Sequence, residues 1–258
     1  MYCKIDLIPK HPISREEAGE ALWSFLSVLA RNGQILKDSS LIKTNEGYSL
    51  YVTLPKEDSF DSKYDGIYVK RDRTKIEELF DYTLIPLGEN ADSSPYCTCQ
   101  NRSAIEMQTY RYDIDSVFIC CDCGNPIALY ELPFPLEMQD DFYCVEGWQK
   151  DYAAMDMLWM NCLCDRFTTK QLVKIHSTLN KNGIKIAKSM EEKLGYPVYY
   201  HLFCDSNYGN TIKTKKVGDI EIHVCPKCKK MMKRLSVTDK LSIDVCPHCH
   251  LSYDAHKH

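Results

Sequence analysis

At 258 residues, with 44% apolar and 26% charged side chains, the chain has ordinary globular composition and enough length for one large domain or two modest ones. Its formal net charge of −4 excludes a protein that coats polyanions through charge alone. Met1-Tyr2-Cys3-Lys4-Ile5-Asp6 lacks the basic lead and apolar core of a secretory leader. The most apolar run, Ala21 to Ala30, is too short and serine-broken to span a bilayer, so a cytoplasmic location is expected.

Cys3 to Ile8 alternates as a first strand. Ser14 and Glu17 form a capping box for a helix whose Ala18, Leu22, Phe25, Leu26 and Leu29 share a face, with Asn32-Gly33 as its stop. Tyr48 to Leu54 alternates as another strand, and Pro55 to Gly66 reads as a polar connection. Ile67 to Lys70 is expected as a short strand and Thr74 to Tyr82 as a short helix, followed by turn-rich Leu87 to Pro95. No chemical motif falls in this stretch.

The central stretch opens on Cys97-Thr98-Cys99 and, 20 residues later, Cys120-Cys121-Asp122-Cys123-Gly124. In a reducing compartment such close pairs read as metal thiolates and not as disulfides. Cys97, Cys99, Cys120 and Cys123 are therefore expected to hold a zinc ion, with Cys121 an alternative to Cys120. Glycine after the second cysteine of a Cys-x-x-Cys pair lets backbone amides turn toward the sulfurs. Ile127 to Tyr130 is expected as an apolar strand. Trp148, Tyr152, Met155, Trp159 and Cys162 form a helical core stripe. Thr168 and Gln171 read as a second capping box. Asn182-Gly183 either breaks the following stretch into a helical hairpin or sits inside one helix, and the period from Leu172 through Ile175, Leu179, Ile186 and Met190 to Leu194 favours one helix ending at Gly195. Val198 to Phe203 is strand-like. Polar, then basic, Asp205 to Gly218 reads as a linker.

The firmest signal is C-terminal. Cys225-Pro226-Lys227-Cys228 and Cys246-Pro247-His248-Cys249 stand 17 residues apart, the spacing of a zinc ribbon. Met231 to Val237 and Leu241 to Val245 would form its hairpin, with zinc supplying on the order of 10 kcal/mol of folding free energy. Four thiolates complete each shell, so both zinc ions are expected to be structural. A catalytic zinc keeps an open position, and no His-Glu-x-x-His, Walker loop, Gly-x-Ser-x-Gly or zinc-deaminase pattern occurs. Cys3, Cys144, Cys162, Cys164 and Cys204 lack ribbon spacing, and His176 and His201 are read as ordinary polar or packed residues. No catalytic residue is expected.

The fold class is thus α+β: an N-terminal α+β unit (1–90), a central zinc-knuckle and helical domain (91–210) and a terminal zinc ribbon (211–258). From Lys213 to His258, ten Lys or Arg face five Asp or Glu, a charge of +5, against −9 for the remainder.

Cys120-x-x-Cys123-Gly124-Asn125-Pro126-Ile127-Ala128-Leu129-Tyr130-Glu131-Leu132-Pro133, the Trp148 helix, Gly195 to Phe203 and the ribbon occur in an order that resembles a bacterial family of zinc-ribbon-containing proteins of unknown function, for which nucleic-acid binding has been suggested. The resemblance covers roughly the last 160 residues. By motif position it implies Cys120, Cys123, Cys225, Cys228, Cys246 and Cys249 as ligands. This chain departs from the pattern with Lys229-Lys230 in place of small residues and with His250-Leu251-Ser252-Tyr253 in place of an Arg-Leu-Ser-Asn-like run.

Two functions compete. A non-enzymatic protein-binding module, of which a cognate inhibitor (antitoxin or immunity protein) is one form, would present Asp58, Asp61 and Asp65, or Glu137, Asp140 and Asp141, to a basic partner. Alternatively, Lys227, Lys229, Lys230, Lys233 and Arg234, with His248, His250 and Tyr253, would meet nucleic acid. The −9 body would repel a polyanion, which favours the protein partner.

Overall fold

The computed structural model describes the chain except residues 37–38, 90–94, 111–115, 136–139, 205–212, 239–241 and 256–258. It divides into two compact units, one of Met1–Tyr96, Ile114–Ser116 and Ala128–Tyr143, the other of Cys97–Asp113, Val117–Ile127 and Cys144–His258. The architecture is α+β.

The first unit runs β1 (Tyr2–Pro9), α1 (Arg15–Arg31), β2 (Ser40–Lys43), β3 (Tyr48–Thr53), α2 (Ile67–Leu79) and β4 (Phe80–Gly88). Its antiparallel sheet has the order β2-β3-β1-β4, the split βαββαβ arrangement. Alternation puts Cys3, Ile5 and Leu7 of β1 into the core with Leu50 and Val52 of β3, against Leu22, Phe25 and Leu29 of α1. The Ser14 hydroxyl caps α1 by accepting from Glu17 N–H at 3.1 Å, as the capping box predicts.

Two expectations fail here. Ile67 to Lys70 is the first turn of α2, because Val69, Asp72, Arg73 and Ile76 share its buried face and Gly66 supplies the N-cap. The helix stops at Leu79 and not Tyr82, since Phe80 to Gly88 pairs along the whole of β1. A β-branched opening turn reads locally as strand, and only tertiary packing decides.

The second unit contains β5 (Ile105–Met107), β6 (Phe118–Cys120), α3 (Tyr143–Met160), α4 (Asp165–Val173), α5 (Thr178–Leu194), β7 (Val198–His201), β8 (Thr214–Val217), β9 (Ile220–His223), β10 (Lys233–Ser236), β11 (Ser242–Cys246) and β12 (Leu251–Asp254). One sheet runs β10-β11-β12-β7-β5-β6, and β8 and β9 form a separate hairpin. The terminal ribbon and the central region therefore share a sheet, joined where β12 lies parallel to β7 through Leu251↔Tyr200 and Ser252↔His201.

Ile127 to Tyr130 is not a strand: a lone bridge joins Ile119 and Pro126, and a 3-10 turn covers Leu129–Glu131. The core stripe on α3 is buried at Trp148 and Tyr152, but Cys162 lies beyond the helix and is exposed. Thr168 does not cap a helix; its hydroxyl bonds back to the Cys164 and Asp165 carbonyls inside α4. The expected single helix breaks between α4 and α5, where Ser177 caps α5 by accepting from Asn180 N–H at 3.1 Å. Asn180 Nδ2 then donates to the Leu172 and Lys174 carbonyls at 2.9 and 3.0 Å, satisfying acceptors that the end of α4 leaves open. Gly183 does sit inside α5, where an added Cβ would lie 2.2 Å from the Tyr200 ring, so glycine is what lets α5 pack onto β7. Gly195, with φ 75°, ends α5 as expected. The expected linker is in part a strand, since Thr214–Val217 is β8, paired antiparallel with β9; its residues 205–212, and Leu241 of the expected second ribbon strand, lie outside the described residues.

Candidate metal centres

The structure brings Cys97, Cys99, Cys120 and Cys123 together, and likewise Cys225, Cys228, Cys246 and Cys249; in each group the sulfurs all lie within 4.8 Å of one another. A tetrahedron with Zn–S distances of about 2.3 Å has edges of about 3.8 Å. Cys228 Sγ and Cys246 Sγ are 3.6 Å apart, close to the length of one edge of such a tetrahedron. Each group is a four-thiolate zinc site.

Local backbone explains why. In Cys120 to Asn125, Cys120 N–H donates to Asn125 O at 2.9 Å and Gly124 N–H to Cys120 O at 2.8 Å. In Cys225 to Lys230, Cys225 N–H donates to Lys230 O at 2.9 Å and Lys229 N–H to Cys225 O at 3.0 Å. This shared turn aims amides at sulfur: those of Asp122 and Cys123 at Cys120, that of Asn125 at Cys123, those of Lys227 and Cys228 at Cys225, and that of Lys230 at Cys228. The residue after each second cysteine is left-handed, at φ 76° for Gly124, 62° for Lys229 and 52° for His250. The departures at Lys229 and His250 thus keep the turn that glycine would make easy. The remaining arm is Cys97 to Cys99, where Cys97 N–H donates to Pro126 O at 2.7 Å and Cys99 N–H reaches Cys97 Sγ at 3.4 Å.

Electrostatics agree with thiolate chemistry. Burial raises the Cys97 thiol, but the Arg102 guanidinium, the Cys99 amide and the neighbouring thiols outweigh it and bring the pKa down to about 7. The Lys230 amide, aided by the other three sulfurs, brings Cys228 down to about 7 as well. Burial pushes Cys120 up to about 11 and Cys249 up to about 12, which is where one thiolate per cluster suppresses ionisation of the next until a cation arrives. Cys121 is the wrong neighbour: it stands outside the cluster, packed against Ala104 and Tyr199, and burial drives its thiol far up.

Sequence reading missed the supports. Arg102 Nε donates to Cys97 Sγ at 3.5 Å, and Asp122, inside the knuckle, accepts from Ser103 N–H at 2.8 Å. Beside the terminal cluster, fully buried Asp244 accepts from His223 Nδ1 at 2.7 Å and Arg234 Nε at 2.5 Å, and His223 stacks on Tyr253 at 4.8 Å. Burial alone would raise the Asp244 carboxyl; His223 and Arg234 hold it well below the usual carboxylate range. Strand alternation puts Asp244 on the face opposite Ile243 and Val245, so the sequence reads it as outward and gives no signal of its burial.

The proposed interaction residues separate accordingly. Lys227, Lys229, Lys230, Lys233 and His248 are exposed. Arg234 is committed to Asp244, Tyr253 is buried and His250 Nδ1 pairs with Glu191, so none of these three is a free reader of nucleic acid. Asp58 and Asp61 pair with Lys63, and buried Asp65 holds Arg73 at 2.5 Å. Asp141 caps Tyr143 N–H at 3.0 Å; Glu137 lies outside the described residues.

Fold and site together define a zinc-binding α+β protein with two four-cysteine clamps. The family model described as Domain of unknown function (DUF8589) matches residues 2–83, within the first unit, and that described as Domain of unknown function (DUF2310) matches residues 99–203. An "Uncharacterized protein" of Haemophilus influenzae is 24% identical over 210 residues, covering 76% of this chain and 75% of that protein. Another "Uncharacterized protein" of the same organism is 29% identical over 82 residues, 31% of this chain and 37% of that one. Among solved structures, "Structure of Rv0793 from Mycobacterium tuberculosis" matches at 16% identity with a TM-score of 0.25, covering 35% of this chain and 97% of that one, a likeness too weak to bear on the fold. The chain is therefore similar to bacterial proteins of unknown function; zinc and nucleic acid are named by none of these matches. No helix among the described residues is long and apolar enough to cross a membrane.

Proposed function

We propose that the chain is a non-enzymatic, zinc-clamped binding protein whose partner is another protein. The observation that carries this reading is the corner joining α3 to α4. There Met157, Met160, Leu163 and Phe167 each leave about half their surface in water, although they follow one another within eleven residues. Adjacent large apolar side chains left exposed mark interaction sites, and methionine adapts its shape to a partner's surface. A partner presenting aliphatic or aromatic anchors fits this corner. The closed thiolate shells support a structural role for both metals.

Within the inhibitor form of this reading, buried Asp65 is taken up by Arg73, while Asp58 and Asp61 share the exposed Lys63 and Asp140 of the second acidic cluster is exposed. Nucleic-acid binding is the second reading, carried by Lys227, Lys229, Lys230 and Lys233, without the arginine and tyrosine that would give it base contacts.

Cross-linking the full chain in its native cells, then purifying it, separates the two. A specific protein should be retained by the wild type and by Lys229→Glu/Lys230→Glu, and lost by Met160→Glu/Phe167→Glu with metal content intact. Retention by the apolar-corner variant, or recovery of nucleic acid alone, would sink the proposal.

A further inference from the structure

Between α5 and the loops of the terminal ribbon lies a cavity of about 230 Å³. Ile184 and Ala187 of α5 and Val198 of β7 give it an apolar side, Tyr200 and the zinc ligand Cys249 line it as well, and Lys188, Lys227 and His248 supply its cations and a donor. Three separate segments supply those three side chains. Lys227 stands between Cys225 and Cys228, and His248 between Cys246 and Cys249, so each knuckle of the zinc site presents one of them.

The carboxylate lining the cavity, Glu191, is already engaged: Oε2 accepts from Val198 N–H at 3.1 Å and pairs with His250 Nδ1. Lys188 approaches Glu192 at 3.7 Å, but both are largely exposed and such pairs hold weakly. Lys227 and His248 have no ion-pair partner among the described residues. The thiolate cluster behind them is anionic, and Lys229 and Lys230 on the same knuckle offset it.

We propose that this cleft binds the phosphate head of a small phosphate monoester. Two lysines match a dianion, His248 adds an N–H donor, and lysine serves phosphate as a mobile point charge. The apolar side takes the body of the ligand, and the volume, below the roughly 300 Å³ at which drug-sized pockets begin, keeps that body small. A diester chain would instead need an open cationic groove along its length. Because Lys227 and His248 stand inside the two knuckles, zinc should fix their positions at the cleft. This site is separate from the apolar corner and stands independently of the protein partner.

The test is calorimetric or NMR titration of the zinc-loaded full chain at low salt. The probes are inorganic phosphate, ribose 5-phosphate, ribose, and a single-stranded oligonucleotide with and without a 5′-phosphate. Ribose 5-phosphate should bind saturably and ribose should not. Lys188→Glu and Lys227→Glu should each weaken binding at least tenfold, Lys216→Glu should leave it unchanged, and zinc chelation should abolish it. Equal affinity for inorganic phosphate with the same variant dependence would make the free ion the occupant and keep the phosphate site. The proposal is overturned by absence of saturable phosphate binding at millimolar concentration, by equal sensitivity to Lys216→Glu, or by oligonucleotide binding that ignores the end phosphate.

Discussion

Gly124 and Lys229 occupy the same point of the same turn. Each donates its N–H to the carbonyl of the cysteine four residues earlier, Cys120 at 2.8 Å and Cys225 at 3.0 Å, with left-handed φ of 76° and 62°. For glycine that conformation is free of Cβ strain; for lysine it costs about 1 kcal/mol. Lys229→Gly should therefore stabilise the zinc-loaded chain by somewhat less than about 1 kcal/mol, the unfolded-state entropy of glycine taking back part of the gain. Gly124→Val should destabilise it by about 1–3 kcal/mol. Chemical denaturation at fixed free zinc measures both, and a Lys229→Gly protein less stable than wild type would refute the strain.

The metal count turns on adjacent cysteines. Cys120 belongs to the first cluster and Cys121 does not, so elemental analysis should find two zinc ions per wild-type chain and two in Cys121→Ser. Cys120→Ser and Cys249→Ser should each fall to about one, because three thiolates bind far less tightly than four. Two zinc ions in Cys120→Ser with one in Cys121→Ser would reverse the assignment.

What could be read in the sequence was local. Cys-x-x-Cys spacing, the Ser14 cap and the Gly195 stop each act within six residues, and each lies where expected. Cys120 and Cys121 could not be separated by spacing, because choosing between them requires knowing that Cys121 faces Ala104 and Tyr199. The opening of α2 was misread because Ile67-Tyr68-Val69 suits either state until Val69 and Ile76 find the sheet. Pairing of β12 with β7 joins residues some fifty positions apart, and no local pattern announces it. Partners such as Arg102 and Asp244 are charges whose role depends on where distant segments bring them.

Arg234 illustrates that dependence and gives a third prediction. As a rim cation it would affect binding alone; as the partner of Asp244, whose side chain is fully buried, it supports the ribbon. Removing one member of such a pair strands a charge, so Arg234→Ala should lower stability by about 3 kcal/mol. Lys233→Ala, one residue away and exposed, should change it by less than about 0.5 kcal/mol. Thermal unfolding at saturating zinc compares them, and equal effects would return Arg234 to the rim.

His201 and Glu106 supply the pH dependence. Both side chains are buried, on β7 and β5, with His201 Nδ1 3.1 Å from Glu106 Oε1 and Nε2 3.9 Å from the Asp254 carboxylate. Burial opposes the charged imidazole, but the Glu106 hydrogen bond and the two carboxylates overcome it, and the pKa lies above the ordinary histidine value. A group raised on folding contributes its full stabilisation below its unfolded pKa of about 6.5, and that contribution fades as pH climbs through the folded value. The wild type should therefore lose stability from this pair as pH rises above about 6.5. Replacing Glu106 with glutamine removes the nearer charge and leaves the burial, so His201 should titrate below wild type and this slope should flatten or reverse. NMR titration of the His201 ring, run beside denaturation at several pH values, reads both. A His201 pKa unmoved by Glu106→Gln would show that the pair is not ionised in the folded protein.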